Sequence, residues 1–191
     1  TASGVIIVGG KDVPDKAFLA AKRDVDYMLS KQTNYHQLLK DNNVRISLFG
    51  GKGTNSTAGE LPEFKGESEP SGFAMGMTDT SMTANADWLC YEGNNTLGGN
   101  PVIHELVHTI NQIIFSQTNE TYFYERIYNI AKNAIDSENF VKGDQHLTKD
   151  ETQDESDIIG EFWAMTVEGY IMNRPDFKNP PYDTRTSIQS I

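Results

Sequence analysis

The chain has 191 residues, a formal net charge of −11 and one cysteine, Cys90. This length suffices for a hydrophobic core, and we interpret residues 1–191 as one domain. An acidic surface repels nucleic acid and anionic membranes, so neither is expected as a partner. One cysteine excludes an intrachain disulfide. No apolar run approaches the roughly 18 residues that are needed to span a membrane.

The start of the chain bears on where the protein acts. The sequence begins at Thr1 rather than Met and contains no signal peptide. Both features are what a mature secreted protein would show. Sequons for N-glycosylation begin at Asn55, Asn94 and Asn119. They add only weak support, because about two would occur by chance in a chain this rich in Asn, Ser and Thr. We expect a secreted monomer.

The first fifty residues predict a β-α-β unit. The apolar run 4–10 is bounded by glycines and predicts a buried strand. Residues 14–30 predict an amphipathic helix, and residues 35–40 predict a shorter one. The alternating segment 44–48 predicts a half-buried strand. Two neighbouring strands joined by a helix are expected to be parallel, with the helix on one face.

The rest of the chain predicts a loop, two short strands and three helices. Segment 50–72 is rich in Gly, Ser, Glu and Pro and predicts a long surface loop. Short strands are predicted at 73–77 and 88–91, and helices at 101–116, 122–135 and 158–173. The proline-containing tail after residue 173 is expected to be irregular.

The predicted helix at 101–116 contains the sequence His104-Glu105-Leu106-Val107-His108, which is an H-E-x-x-H motif. Two histidines four residues apart stand on one helix face, so both can reach one tetrahedral Zn²⁺. Glu105 is rotated by about 100° from His104. It is therefore placed to accept a proton from a zinc-bound water rather than to serve as the third ligand.

The surroundings of the motif favour a metal site over a chance occurrence. Ile103, Val107 and Ile110 form an apolar stripe, so most of the helix is expected to be buried. Unpaired histidines and a glutamate on a buried helix would be costly, and a bound metal removes that cost. Asn100 as N-cap, followed by Pro101, marks the start of the helix.

A catalytic zinc needs a third protein ligand. A metzincin would carry Gly at position 111 and His at position 114, where this chain has Asn111 and Ile114. Glu161 lies in an apolar helical run and is the leading candidate, because a carboxylate in such a run is expected to be buried with a partner. The remaining candidates are Asp157, Glu168, Glu155 and His146.

The two segments together resemble a known group. His104-Glu105-x-x-His108, followed downstream by Glu161-Phe162-Trp163-Ala164, looks like the gluzincins that carry H-E-x-x-H and a later E-[FY]-[FW]-A. The bacterial Mlc titration factor peptidases and the catalytic domain of anthrax lethal factor show this arrangement. Segments 44–50 and 89–93 also look like a set of secreted microbial zincin-like proteins. The resemblance implies that Glu161 is the third zinc ligand.

The resemblance also raises further roles. Gluzincins often place a second glutamate four residues after the ligand, where this chain has Met165. Glu168 lies on nearly the same helix face as Glu161 and is a candidate to hold a zinc-bound histidine, with a solvated residue as the equal alternative. In zincins an edge strand above the metal helix receives the substrate backbone, and 88–91 is the candidate, although it could equally be a core strand. The candidates for stabilising the oxyanion are Tyr122, Tyr124, Tyr128, Tyr170 and His146.

We therefore expect an α+β, zincin-like fold with a small N-terminal sheet and a helical part that carries the H-E-x-x-H helix and the glutamate helix. The predicted function is zinc-dependent hydrolysis of peptide bonds, with one Zn²⁺ on His104, His108 and Glu161 and with Glu105 as general base. The predicted partner is a peptide or protein substrate. One alternative is a secreted binding protein that is stabilised by zinc and has little or no peptidase activity. A second alternative is hydrolysis of a non-peptide amide by the same residues.

Overall fold

A computed structural model describes residues 1–51, 53–65, 74–94, 99–115, 121–136 and 155–172, which form an α+β fold. The strands are β1 (Ile6–Gly9), β2 (Arg45–Phe49), β3 (Ala74–Thr78) and β4 (Ser81–Asn85). The helices are α1 (Asp15–Leu29), α2 (Thr33–Asp41), α3 (Pro101–Ile110), α4 (Thr121–Asp136) and α5 (Glu155–Met172), and a π-helical turn, Asn111–Phe115, continues α3. The predicted fold class is confirmed.

The four strands form one mixed sheet in the order β1-β2-β4-β3. β1, β2 and β4 are parallel, with Ile7 opposite Ile46 and Ile46 opposite Met82. β3 lies at the edge and runs antiparallel to β4. The predicted β-α-β unit is confirmed, because α1 connects the parallel pair β1 and β2.

The main core lies where α1 and α3 meet the sheet. Its buried side chains come from all of these elements, for example Val25 from α1, Ile46 from β2, Met82 from β4 and Leu106 from α3. A second apolar cluster joins α4 to α5 around Phe162, which is 1% exposed. α3 therefore lies between the sheet and the pair formed by α4 and α5, and it contacts β3, β4, α1 and α5.

The prediction of a strand at 88–91 is wrong. The strand is Ser81–Asn85, and it is followed by a 3-10 turn, Ala86–Trp88. Asn85 accepts a hydrogen bond from the Asp87 main-chain N–H, and the buried Asn94 side chain donates to the carbonyl oxygens of Ala86, Asp87 and Leu89. These side-chain bonds stabilise a turn in place of a strand. Residues 88–91 are therefore not an edge strand.

The other predicted strands and helices agree with the structure within a few residues. The prediction of a surface loop at 50–72 is only partly right, because its described part contains two 3-10 turns, Ala58–Glu60 and Pro62–Phe64, that bury Leu61 and Phe64 against Phe49. The metal helix begins at Pro101 as predicted, and its α-helical part ends at Ile110. Cys90 is buried. The predicted tail after residue 173 and most of the acidic segment before α5 lie outside the described residues. None of the helices in the described part of the chain is long and apolar enough to cross a lipid bilayer.

Candidate metal centre

The N-terminus of α3 is fixed by its N-cap. The Asn100 side-chain oxygen accepts hydrogen bonds from the main-chain N–H groups of Val102 and Ile103 at 3.1 and 3.2 Å. Pro101 follows as the first helical residue, where its missing N–H leaves no unpaired donor. The predicted helix start is confirmed. The cap fixes the residue at which α3 begins, and the four-residue spacing places His104 and His108 on one face of the helix.

The structure brings His104, His108 and Glu161 together. One potential ligand atom from each residue lies within 4.8 Å of the others. Nε2 of His104 is 3.2 Å from both Nε2 of His108 and Oε2 of Glu161, and Nε2 of His108 is 3.3 Å from Oε1 of Glu161. α3 supplies both histidines and α5 supplies the glutamate, because the two helices pack against each other.

Glu168 lies on the other side of the His104 ring. Its Oε2 is 3.2 Å from Nδ1 of His104, and its Oε1 accepts a hydrogen bond from the Asn100 main-chain N–H. Both residues are buried, with Glu168 3% and His104 6% exposed. A carboxylate oxygen accepts hydrogen bonds, so Nδ1 of His104 is the donor in this pair. Glu168 therefore contacts a ligand candidate and is not a solvated residue at the helix end.

This arrangement fits a metal ion. With Nδ1 of His104 donating to Glu168, Nε2 of the neutral ring carries a lone pair that faces His108 and Glu161. Electron-pair donors this close repel one another unless a positive charge lies between them. Two imidazole nitrogens and one carboxylate oxygen are a ligand set that catalytic zinc sites use, with the fourth position left open.

The electrostatics of the group lead to the same conclusion. Burial lowers the pKa of His104, but hydrogen bonds to Glu161 and Glu168 outweigh this effect and raise the pKa from 6.5 to about 10. Burial of Glu161 raises its pKa, but hydrogen bonds from His104 and His108 outweigh this effect and hold it well below its usual range. The cluster therefore attracts positive charge, either as protons or as a metal ion.

Glu105 is buried next to the ligand pair. It is 7% exposed, and its negative charge contributes to the raised pKa of His104.

Gly160 of α5 faces His108. A Cβ atom placed on Gly160 would lie 3.6 Å from Nδ1 of His108. This is an ordinary contact distance, so α5 lies next to the ring of His108 without leaving extra space at Gly160.

Of the remaining predicted residues, the two whose side chains are described, Tyr170 and Tyr128, do not join this cluster. Tyr170 is 63% exposed and lies on the face of α5 opposite Glu161. Tyr128 packs against the apolar cluster between α4 and α5. His146 lies outside the described residues, as do the side chains of Tyr122, Tyr124, Glu155 and Asp157. The oxyanion-stabilising group therefore stays unassigned.

A pocket of about 360 Å³ lies elsewhere, between α1, α2, α3 and α5. Its α5 lining includes Trp163 and Tyr170, which are on the side of the helix that faces away from Glu161. The pocket is mostly apolar and contains none of the three ligand candidates. The three ligand candidates therefore do not line this pocket.

Sequence reasoning missed the buried acid Asp24 of α1, which is 0% exposed. Its side chain accepts a hydrogen bond from the Asn100 side chain at 2.7 Å. The signal was present in the pattern, because Asp24 lies on the same helix face as Ala17, Ala21 and Val25, which are all buried. An acid on the apolar face of an amphipathic helix indicates a specific buried partner.

Comparison with known proteins gives no family for this chain. No protein-family model matches the chain, and no curated protein sequence matches it significantly.

Proposed function

We propose that the protein is a secreted zinc-dependent metallopeptidase of the gluzincin type, with one Zn²⁺ on His104, His108 and Glu161. The observation that carries the proposal is the convergence of these three side chains, with ligand atoms within 4.8 Å, in a chain that spells H-E-x-x-H. Three protein ligands leave one coordination position for water or substrate, as a catalytic zinc requires.

The roles of the side chains follow from their positions. A zinc ion bound here would lower the pKa of a water molecule and polarise the scissile carbonyl. Glu105 would take a proton from that water on its carboxylate and pass it to the nitrogen of the leaving amine. Glu168 would hold the Nδ1 proton of His104, so that Nε2 of the same ring keeps its lone pair for the metal.

The edge strand β3 supports a peptide as the substrate. β3 pairs only with β4 within the described sheet, and it packs against α3. An extended peptide can add to such an edge through main-chain hydrogen bonds. We assign to β3 the substrate-aligning role that the sequence had suggested for residues 88–91.

A zinc-stabilised binding protein is the competing proposal. A purely structural zinc is usually closed by four protein ligands. The described residues supply three, and the glutamate of the H-E-x-x-H motif is buried beside them. Both features favour catalysis over a structural site.

The proposal is tested by incubating the purified protein with a diverse peptide library and reading cleavage by mass spectrometry, with and without a zinc chelator. We expect cleavage that the chelator abolishes and that added zinc restores. Glu161→Gln should weaken zinc binding by more than about 100-fold, because residues that only hydrogen-bond to metal ligands already contribute 10–100-fold to metal affinity. Glu125→Gln, at an exposed glutamate of α4, is the matched control. Protein that holds zinc but cleaves no peptide would favour the binding protein instead.

Secretion is part of the same proposal. The structure shows that one of the three sequons, at Asn94, cannot be glycosylated in the folded protein and so does not support secretion. The Asn94 side chain is 5% exposed, and its amide donates to three main-chain oxygens. A glycan on this nitrogen is incompatible with the fold. Asn55 is exposed, and Asn119 lies outside the described residues. Passage of the protein through a glycosylating secretory pathway should therefore modify Asn55 and leave Asn94 bare, as glycopeptide mass spectrometry would show.

A further inference from the structure

We propose that Asp24, on α1, is a positioning residue of the metal centre: through Asn100 and Glu168 it fixes the ring of His104. The inference rests on the proposed metal site, and it extends that site to a helix that contributes no ligand. It makes the docking of α1 onto the start of α3 a condition for tight metal binding.

A continuous chain of hydrogen bonds connects Asp24 to the ring. Oδ2 of Asp24 accepts from the side-chain amide of Asn100 at 2.7 Å, across 76 residues of sequence. The main-chain N–H of Asn100 donates to Oε1 of Glu168, and Oε2 of Glu168 is 3.2 Å from Nδ1 of His104. All four residues are buried, Asp24 and Asn100 at 0% and 2% exposure.

Each bond in this chain restricts the next one. The Asn100 amide has one acceptor and one donor side, and Asp24 accepts only from the donor side. The Asn100 oxygen is thereby turned towards the first N–H groups of α3, where it caps the helix. This cap holds the main chain at Asn100, so its N–H points at Glu168. Glu168 then holds the His104 ring with Nε2 directed towards the metal.

The charge on Asp24 is compensated on its other oxygen. Oδ1 lies 2.7 Å from Nε and 2.6 Å from Nη2 of Arg23, and Nη1 of Arg23 donates to the Cys90 carbonyl at 3.2 Å. Asp24 is fully buried whereas Arg23 is partly exposed, and a buried charge is unfavourable unless it is paired and hydrogen-bonded. Arg23 and the Asn100 amide both supply partners, and the bond to Asn100 connects Asp24 to the metal centre.

The test is Asp24→Asn in the full chain, because an amide in place of the carboxylate puts a donor beside either Arg23 or Asn100. Residues that orient metal ligands typically contribute 10–100-fold to metal affinity. Asp24 acts through two intervening residues, so we expect zinc affinity to fall by about tenfold, at the low end of that range. Zinc affinity is measured by competition with a chromogenic chelator. The d–d spectrum of the Co²⁺-substituted protein should also change, because the His104 ring is reoriented.

Two control variants separate positioning from general destabilisation. Asp26→Asn makes the same change two residues along α1, at a partly exposed carboxylate that pairs with Lys22 and Ser3. Val25→Ala removes buried volume from the core side of α1 without touching the hydrogen-bond chain. With all variants confirmed as folded by circular dichroism, both controls should keep wild-type zinc affinity and the wild-type Co²⁺ spectrum.

A second variant tests the role of Asp24 if the Asp24→Asn protein does not fold. Asn100→Asp keeps a side-chain oxygen that can cap α3 but replaces the amide donor to Asp24 with an acceptor, so it should shift zinc affinity and the Co²⁺ spectrum in the same direction. Wild-type values in Asp24→Asn or in Asn100→Asp would overturn the role of Asp24, as would an equal loss in Val25→Ala. Failure of the wild-type protein to bind Zn²⁺ or Co²⁺ would overturn the metal site and this inference with it. Zinc binding without peptidase activity would leave the inference standing.

Discussion

The two sides of α3 are held in different ways. One side packs Val102 and Leu106, both 0% exposed, into the core shared with the sheet and α1. The other carries His104 and His108, which meet Glu161 of α5 through individual polar contacts. On the apolar side the interaction energy is spread over many contacts, whereas on the polar side each atom has a specific partner. Changes on the first side should therefore alter stability, and changes on the second should alter metal binding and chemistry.

The largest expected effect comes from Glu105→Gln. The variant keeps the shape of the side chain but cannot accept the proton, and general-base catalysis contributes about 10²–10⁴-fold. We expect wild-type zinc content with nearly all turnover lost, measured on a peptide that the wild-type protein cleaves. Substantial residual turnover would refute the role given to Glu105.

Leu106→Ala is the matched change one residue further along the same helix. It should lower the free energy of unfolding by about 2–5 kcal/mol, because it leaves a cavity in the main core. Zinc affinity of the folded variant should stay at the wild-type value, as measured at a temperature where unfolding is negligible. If zinc affinity fell as far as in Glu161→Gln, the two sides of α3 would not have separate roles in stability and metal binding.

The response to pH should differ between the metal-free and zinc-loaded protein. The pKa of His104 is raised from 6.5 to about 10, so its protonated ring stabilises the metal-free fold fully below pH 6.5 and progressively less as the pH approaches 10. Zinc needs the deprotonated nitrogen, so its binding releases protons and strengthens as pH rises.

The difference in Tm with and without zinc should therefore grow between about pH 6.5 and about pH 8.5. Thermal unfolding with and without a chelator measures it at each pH. A difference that stays constant or shrinks over this range would show that zinc does not compete with a proton on His104.

The smallest effect is expected for Gly160→Ala. The added Cβ atom would lie 3.6 Å from Nδ1 of His108, which is an ordinary contact distance. Alanine should stabilise α5 by up to about 1 kcal/mol and leave zinc affinity within about twofold of wild type. A loss of about tenfold or more, the scale seen for residues that orient ligands, would show that the His108 ring needs the space that glycine leaves.

The elements that could be predicted from the sequence have strong local signals. The glycine-bounded first strand, the alternating second strand and the capped metal helix each follow from patterns within a few residues. β4 was missed because its sequence, Ser-Met-Thr-Ala-Asn, has little β-branched or aromatic character. Its pairing with β2 in the centre of the sheet determines its conformation. Residues 88–91 look more like a strand locally, but the Asn94 side chain holds the preceding turn.

The candidate site also contains some residues that the sequence predicts and others that it does not. The positions of His104, Glu105 and His108 follow from helix spacing alone, and the convergence of Glu161 with the histidines agrees with the role that the resemblance gave it. Glu168 could be proposed because it lies two helical turns beyond Glu161. The contact between Asp24 and Asn100 could not be predicted, because it depends on how α1 docks against the start of α3, which no local pattern specifies.

The most direct test of the metal centre is zinc K-edge X-ray absorption on protein loaded with one equivalent of Zn²⁺. We predict only nitrogen and oxygen ligands at about 2.0–2.2 Å, with the outer-shell scattering of two imidazoles. In Glu161→Gln protein the oxygen contribution should change while both imidazoles remain. A sulfur ligand at about 2.3 Å, or a spectrum identical in wild-type and Glu161→Gln protein, would contradict the site formed by His104, His108 and Glu161.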